Sequence, residues 1–208
     1  MSGAANLINS LFGGFDMSVF RIFGGIQNEV LTVIANAVTH LGGVEAVAAV
    51  LFISIILCFF KKTRKIGICV LCSVAVGAII TNIILKPLIM RPRPYVYFAD
   101  NPEFTAWYTA AGSLFESDFS FPSGHTTSAF SYCIALFLCL RERKNKVAYL
   151  FPFIAVAVML TRVYLMVHYA SDVIFGMIIG IASAAASYAF VNALKSGKIK
   201  IPKLGEII

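Results

Sequence analysis

The sequence predicts an all-α membrane protein: a polytopic bundle of five spanning helices, preceded by N-terminal helices that lie along the bilayer surface. Three observations carry that prediction. Apolar residues make up 59% of the chain and charged residues 13%, against about 45–50% and about 25% in soluble domains. The apolar residues fall into five long runs, each with roughly the 17–25 residues that cross a hydrocarbon core as a helix. Lys and Arg gather in short links between those runs. Backbone in lipid must satisfy its own hydrogen bonds, so runs of this length read as helices. Residues 1–208 are expected to form a single membrane-embedded domain.

Residues 1–40 mix Asp16, Arg21, Asn28 and Glu29 with Phe, Ile, Leu and Val. "FDMSVFRIFGG" and "NEVLTVIANAVTHLGG" have helical apolar spacing with polar interruptions, as interfacial helices do. If residues 17–40 also crossed, the bundle would have six spans. No positive region precedes an apolar core, so no cleavable signal peptide is expected. The five runs follow. Leu41–Phe60 holds one charge, Glu45, and Ile66–Leu85 holds none. Ser123–Leu140 has no Lys, Arg, Asp or Glu, Val147–Val167 is broken only by Arg162, and Val173–Leu194 is uncharged. Cys58, Cys69, Cys72, Cys133 and Cys139 all lie inside these runs. Cys69 and Cys72 make a lone C-x-x-C without a nearby His, which reads as small buried residues rather than a zinc site. The stretch "GIASAAAS" near the end permits close helix packing, within or between chains, and leaves the oligomeric state open.

Charge gives the expected orientation. Link 61–65, link 141–146 and the tail Lys195, Lys198, Lys200 and Lys203 each hold four basic residues. They follow the first, third and fifth runs, so all fall on one side, and short basic links stay cytoplasmic. The C-terminus is therefore expected inside. The net charge of +7 is spread over these links and forms no basic soluble face, which argues against a nucleic-acid partner. The remaining cations, Arg21, Lys86, Arg91, Arg93 and Arg162, fall on the outer side, where this rule disfavours them.

Three outer clusters carry chemistry: "KPLIMRPRP" from Lys86 to Pro94, "PSGH" from Pro122 to His125, and Arg162 with His168 and Asp172. Arg offers bidentate donors to phosphoryl oxygens and Lys a point charge. Ser123–Gly124 opens a helix whose amides suit an anion. His168 and Asp172 are four apart and would share a helix face. A carboxylate on one imidazole nitrogen fixes the tautomer and frees the other nitrogen to attack. His125 could protonate a departing oxygen. Singly, these residues have plainer readings: Arg162 as a snorkelling cation, Asp172 or Ser171 as a helix cap, Pro122-Ser123 as a helix start. His40 stands alone and is assigned no role. The convergence of all three clusters on one face favours a site, since ionisable groups at membrane depth are functional candidates. His168, Asp172 and His125 are ligand types for a divalent ion, but the surrounding cations would repel it. No metal or cofactor is expected.

The three clusters in order resemble the signature of the type 2 phosphatidic acid phosphatase superfamily, which includes the glucose-6-phosphatases and vanadium haloperoxidases. That signature is K-x6-R-P, P-S-G-H and S-R-x5-H-x3-D. Lys86 with Arg93-Pro94, Pro122–His125, and Arg162 with His168 and Asp172 match it, over residues 86–172. Thr161 stands where Ser is usual, and Arg91 adds a second R-P pair, with spacing favouring Arg93 as the ligand. The chain looks like the short bacterial type, including undecaprenyl-diphosphate phosphatases. The resemblance implies His168 as a nucleophile forming a phosphohistidine, Asp172 as its orienting partner and His125 as general acid. It implies that Lys86, Arg93, Arg162, Ser123 and Gly124 hold phosphoryl oxygens, with no metal, and that vanadate inhibits.

The outer link from Tyr95 to Phe121 is rich in aromatics and carries Asp100, Glu103, Glu116 and Asp118. It reads as a lid near a lateral entrance for a lipid tail, or as a mobile loop. A site in the outer leaflet would meet undecaprenyl diphosphate, the expected substrate, with phosphatidic acid or phosphatidylglycerol phosphate as alternatives. A transporter would spread ionisable residues through the helix middles, whereas here they gather at one end. An inactive scaffold would be expected to have lost a motif residue.

Overall fold

Residues 1–197 are described by a computed structural model, and among them regular structure is entirely helical. Lys198, Lys200 and Lys203, three of the four tail cations used to predict orientation, lie outside the described residues. Helix α1 (Gly3–Gly25) and α2 (Glu29–Thr39) open the chain, and a short 3-10 turn (His40–Gly42) joins α2 to α3 (Val44–Cys58). Helix α4 (Arg64–Ala78) widens into π-helical turns over Ile79–Leu85 and runs into α5 (Lys86–Ile89). Two short helices follow, α6 (Pro94–Tyr97) and α7 (Pro102–Ala110). The long α8 (Gly124–Glu142), α9 (Leu150–Tyr164) and α10 (Ala170–Lys195) complete the fold.

Local chemistry sets several of these starts. Ser2, Asn28 and Asn101 each accept a hydrogen bond from the amide three residues on, satisfying an otherwise unpaired N–H of α1, α2 and α7. Pro102 follows Asn101 at the first helical position, where its missing N–H costs nothing.

Helix α8 lies in the middle, packed against α4, α9 and α10. Small side chains make that possible. A Cβ on Gly180 of α10 would stand 2.5 Å from Phe130 Cβ and 2.8 Å from Thr127 O of α8. One on Gly77 of α4 would stand 2.5 Å from Ser131 Oγ. The buried core between these helices includes Cys69, Val70, Ala129, Cys133, Ala135, Cys139, Ala155, Val158 and Val191. The cysteines there are free and pack as small apolar groups. Around the bundle, Phe52, Phe59, Phe60, Ile83, Phe153 and Ile178 are exposed. Such apolar exteriors fit lipid, and they identify a multi-pass membrane protein.

Among the described residues, three helical runs are long and apolar enough to cross a membrane: Arg64–Tyr97, Lys146–Tyr164 and Ala170–Lys195. A fourth arises if Glu29–Gly42 and Val44–Cys58, bent by 42° at their junction, form one broken span. Five spans were expected. The difference lies in α8, whose first turns, Gly124-His125-Thr126-Thr127-Ser128, dilute its apolarity. Thr126 and Thr127 are buried inside the bundle rather than facing outward.

The link after α6 is largely ordered by aromatics. Phe20 of α1, Phe98, Phe104 and Tyr169 form one edge-to-face cluster, and Tyr95 stacks on Tyr108 at 4.8 Å between ring centroids. Trp107 lies against Gly24, where no larger residue would fit. With α7 so pinned, residues 111–121 fold back over the helix ends.

Candidate active site

The three sequence clusters meet at the bundle end remote from links 61–65 and 141–146, which are themselves joined by a Lys65–Glu142 ion pair. Lys86, Arg93, Gly124, His125 and His168 line a single cavity of about 670 Å³. Val44, Val47, Leu51, Leu71 and Val74 line its other part, between α3 and α4.

Lys86 follows directly on the π-helical turns, which shift the register of side chains facing the bundle; such turns recur at functional sites. The chain then leaves α5 through Met90 in the left-handed region (φ 51°) and extends through Arg93. Arg93 Nη1 donates to Val167 O at 2.9 Å and to His168 Nε2 at 2.8 Å, and its Nε donates to Asp118 O at 3.0 Å. Its Nη2 pairs with the Asp118 carboxylate, as does Lys86 Nζ.

His168 sits in a tight, buried turn between α9 and α10. Leu165, Met166 and Val167 are fully buried there, and Met166 is left-handed (φ 56°), a conformation that costs a side-chain-bearing residue of order 1 kcal/mol. The spacing had suggested that His168 and Asp172 share a helix face. They do not: α10 begins at Ala170, and its first turn brings Asp172 back under the ring. Asp172 Oδ2 accepts from the Tyr169 amide at 3.2 Å and from Ser120 Oγ, and lies 3.4 Å from His168 Nδ1. Because Arg93 can only donate, Nε2 is the unprotonated nitrogen and Nδ1–H faces the carboxylate. Burial, then the charges of Arg93, Arg162 and Lys86, hold the His168 imidazole well below its ordinary value of 6.5. The ring is thus a neutral base whose lone pair accepts from Arg93 at the cavity wall.

His125, the second residue of α8, faces the same cavity. Arg162 is fully buried; Nη1 donates to Thr39 Oγ1 at 2.7 Å, Nη2 pairs with Glu116, and Nε has no partner. Ser123 caps α8, accepting from the Thr126 amide at 3.4 Å and hydroxyl at 3.0 Å. Its own amide donates to Asp172 O at 3.1 Å, tying α8 to α10. Ser123 does not line the cavity, whereas Gly124 does; a Cβ on Gly124 would lie 3.6 Å from Lys86 Nζ.

Sequence reasoning assigned no role to Glu116, Asp118, Ser120, Asp16 or Thr39. Burial pushes the Glu116 carboxyl up, but Arg162, His125 and Arg93 outweigh it and hold it below its usual value. Asp118 is likewise held low, burial being outweighed by Lys86 and Arg93. The only signal in the sequence was that acidic residues stood in an otherwise aromatic link. Among the described residues, no three His, Cys, Asp or Glu side chains come together as a metal-binding group. The cations at the cavity, Lys86 and Arg93, are paired with Asp118 and Glu116, which line it too.

Fold and site together define a class: multi-pass membrane proteins with a pocket, lined by Lys86, Arg93 and two imidazoles, at one end of a helix bundle. The chain belongs to the PAP2 superfamily, whose family model matches residues 66–196. It is 32% identical over 162 residues to phosphatidylglycerophosphatase B of Bacillus subtilis (strain 168), covering 74% of this chain and 70% of that one. It is 31% identical over 152 residues to undecaprenyl-diphosphatase of Sulfolobus acidocaldarius, covering 71% and 65%. The crystal structure of a transmembrane PAP2-type phosphatidylglycerolphosphate phosphatase from Bacillus subtilis superposes with a TM-score of 0.73 at 26% identity, over 96% of this chain and 94% of that chain.

Proposed function

We propose that the protein is a metal-independent lipid phosphatase that cleaves a phosphomonoester or diphosphate through a phosphohistidine on His168. One observation carries the reading: His168 Nε2, unprotonated, points into a cavity that holds Lys86, Arg93 and His125, while Nδ1–H is aimed at Asp172.

In this mechanism a phosphoryl group displaces the Asp118 and Glu116 carboxylates from Lys86, Arg93 and Arg162. Preorganised cations then stabilise the charge spread over the equatorial oxygens. Arg93 Nη1 exchanges its bond to Nε2 for a phosphoryl oxygen, the freed Nε2 lone pair attacks phosphorus, and Asp172 stabilises the imidazolium that forms. The P–O bond to the leaving group breaks with its electron pair on oxygen, which takes a proton from His125. Water then attacks the phosphohistidine while His125 accepts its proton, the P–N bond breaks, and inorganic phosphate departs. Gly124 contributes room and backbone amides at the start of α8. Ser123 holds that helix end in place by its cap.

The apolar half of the cavity supports a lipid as the substrate. The whole cavity, at about 670 Å³, is large enough for a phosphate and the part of the tail next to it. Undecaprenyl diphosphate remains the preferred substrate. The similarity to the Bacillus enzyme supports phosphatidylglycerol phosphate equally, so a substrate panel must decide. We place the site at the outer membrane face, with the C-terminus inside, and count α8 as a fifth span. Its 19 residues reach about 28 Å at 1.5 Å each, close to a hydrocarbon thickness.

The test is phosphate release from undecaprenyl diphosphate, phosphatidylglycerol phosphate and phosphatidic acid by the detergent-purified protein, with a chelator present. Release is expected, and His168→Ala is expected to abolish it. Unchanged release by that variant removes the nucleophile, and loss in chelator removes metal independence. For orientation, an impermeant thiol reagent should label a cysteine introduced at Ser113 in intact cells and one at Asn145 only after lysis. The opposite pattern reverses the topology.

A further inference from the structure

Arg91 and Arg93 are two residues apart on an extended segment, and they point in opposite directions. Arg93 faces the cavity. Arg91 is fully buried and does not line the cavity. Nη1 donates to Asp172 Oδ1 at 2.6 Å and to Ser171 Oγ at 2.8 Å. Nη2 donates to Asp16 Oδ2 at 2.8 Å, and Nε to Asn9 Oδ1 at 2.8 Å. The guanidinium lies 3.5 Å over the Tyr169 ring. Asp16, on α1 and also fully buried, in turn accepts from the Ser171 amide and hydroxyl, both at 2.8 Å.

We propose that Arg91 and Asp16 are positioning residues for the carboxylate of Asp172, so that α1 belongs to the working active site. The inference rests on the phosphohistidine reading and extends it to a helix outside the 66–196 family match. Asp172 has two oxygens with separate duties. Oδ2 serves His168, Ser120 and the Tyr169 amide, and Oδ1 is held by Arg91. A carboxylate gripped at one oxygen by a rigid guanidinium has a fixed plane, and that plane aims the other oxygen at His168 Nδ1. The guanidinium is fixed from behind by Asp16 and Asn9, both contributed by α1. A buried carboxylate–guanidinium–carboxylate arrangement is costly compared with an apolar one. Its retention beside Asp172 is explained if orientation, rather than stability, is what it supplies.

The reading makes a particular prediction. Arg91 touches neither the cavity nor the phosphate, so its loss should lower kcat and leave KM and inorganic-phosphate inhibition nearly unchanged. Arg91→Gln is expected to lower kcat by about 100-fold, the scale on which misplacing a reacting group by an ångström acts. Asp16→Asn should lower it by a smaller factor, because Asn9 and Asp172 still hold the guanidinium. A small cavity of about 220 Å³ borders Arg91 on the α1 side, lined also by Asn9, Gly13 and Tyr169. Millimolar guanidinium should therefore enter the Arg91→Ala protein and restore part of its kcat, and should do nothing for His168→Ala. Melting temperature and elution profile in detergent report whether each variant folds. If Arg91→Gln fails to fold, Asp16→Asn and the guanidinium rescue decide the question.

A folded Arg91→Gln protein with wild-type kcat overturns the proposal. So does a loss that appears in KM and phosphate affinity, since that would place Arg91 on the substrate. A loss that follows only the folded fraction, with no rescue, would make the network structural. If instead the wild-type protein releases no phosphate, or His168→Ala retains activity, it is the phosphatase or phosphohistidine reading that has failed.

Discussion

On the proposed mechanism, Asp118 occupies the position that a phosphoryl group takes. Its carboxylate bridges Lys86 and Arg93, two buried cations, while the aspartate side chain itself is 49% exposed. On that mechanism substrate must break both ion pairs before it binds, so the loop competes with its own ligand. Replacing Asp118 with Asn keeps the shape, and keeps the bond from Arg93 Nε to the Asp118 backbone oxygen, but removes the competing charge. Exposed ion pairs contribute about 0.2–1 kcal/mol each. Two pairs to buried cations, discounted for the half-exposed partner, give about 1–1.5 kcal/mol. That corresponds to roughly a tenfold tighter phosphate or vanadate inhibition constant. The assay is competitive inhibition of lipid hydrolysis by inorganic phosphate and by vanadate, wild type against Asp118→Asn, at fixed ionic strength. KM should fall in parallel, with little change in kcat. Inhibition constants that stay constant or rise would refute the competition and make Asp118 a binding residue.

Two other consequences follow from the same geometry. Because burial and neighbouring cations hold the His168 imidazole well below 6.5, the neutral, nucleophilic ring persists as the medium becomes acidic. The acid limb of kcat/KM, corrected for titration of the substrate phosphate, should lie below pH 6.5; a limb at or above that value contradicts the assigned environment. In the bundle, Gly180→Ala adds a methyl 2.5 Å from Phe130 Cβ. Overpacking of that kind costs about 1–3 kcal/mol, so the melting temperature in detergent should drop, while an unchanged value would mean that α8 and α10 separate easily.

The membrane class was legible in the sequence, and so were most residues that meet at the candidate site, for a physical reason. A helix in lipid is long and apolar, and cations and imidazoles stand out in such a chain, so composition and short-range spacing carry both. Lys86, Arg93, His125, His168 and Asp172 could be picked out because each sits in a compact motif whose residue types make little sense in hydrocarbon. The alternation of basic links likewise needed only the order of the runs.

Other features depend on contacts between residues far apart in the chain, which no local pattern records. The polar residues that open α8 include Thr126 and Thr127, which are hidden inside the bundle, and nothing in the run Ser123–Leu140 records that burial. The His168–Asp172 spacing looked like a helix pair, but the helix starts two residues after His168, so a buried turn sets the geometry instead. Asp16 meets Ser171 across 155 residues, and Glu116 and Asp118 reach the cations only because aromatic packing pins α7 against α1. Arg91 and Arg93 are near-identical in sequence context. Only the direction in which the extended segment crosses the bundle sends one guanidinium to the cavity and the other to the back of Asp172.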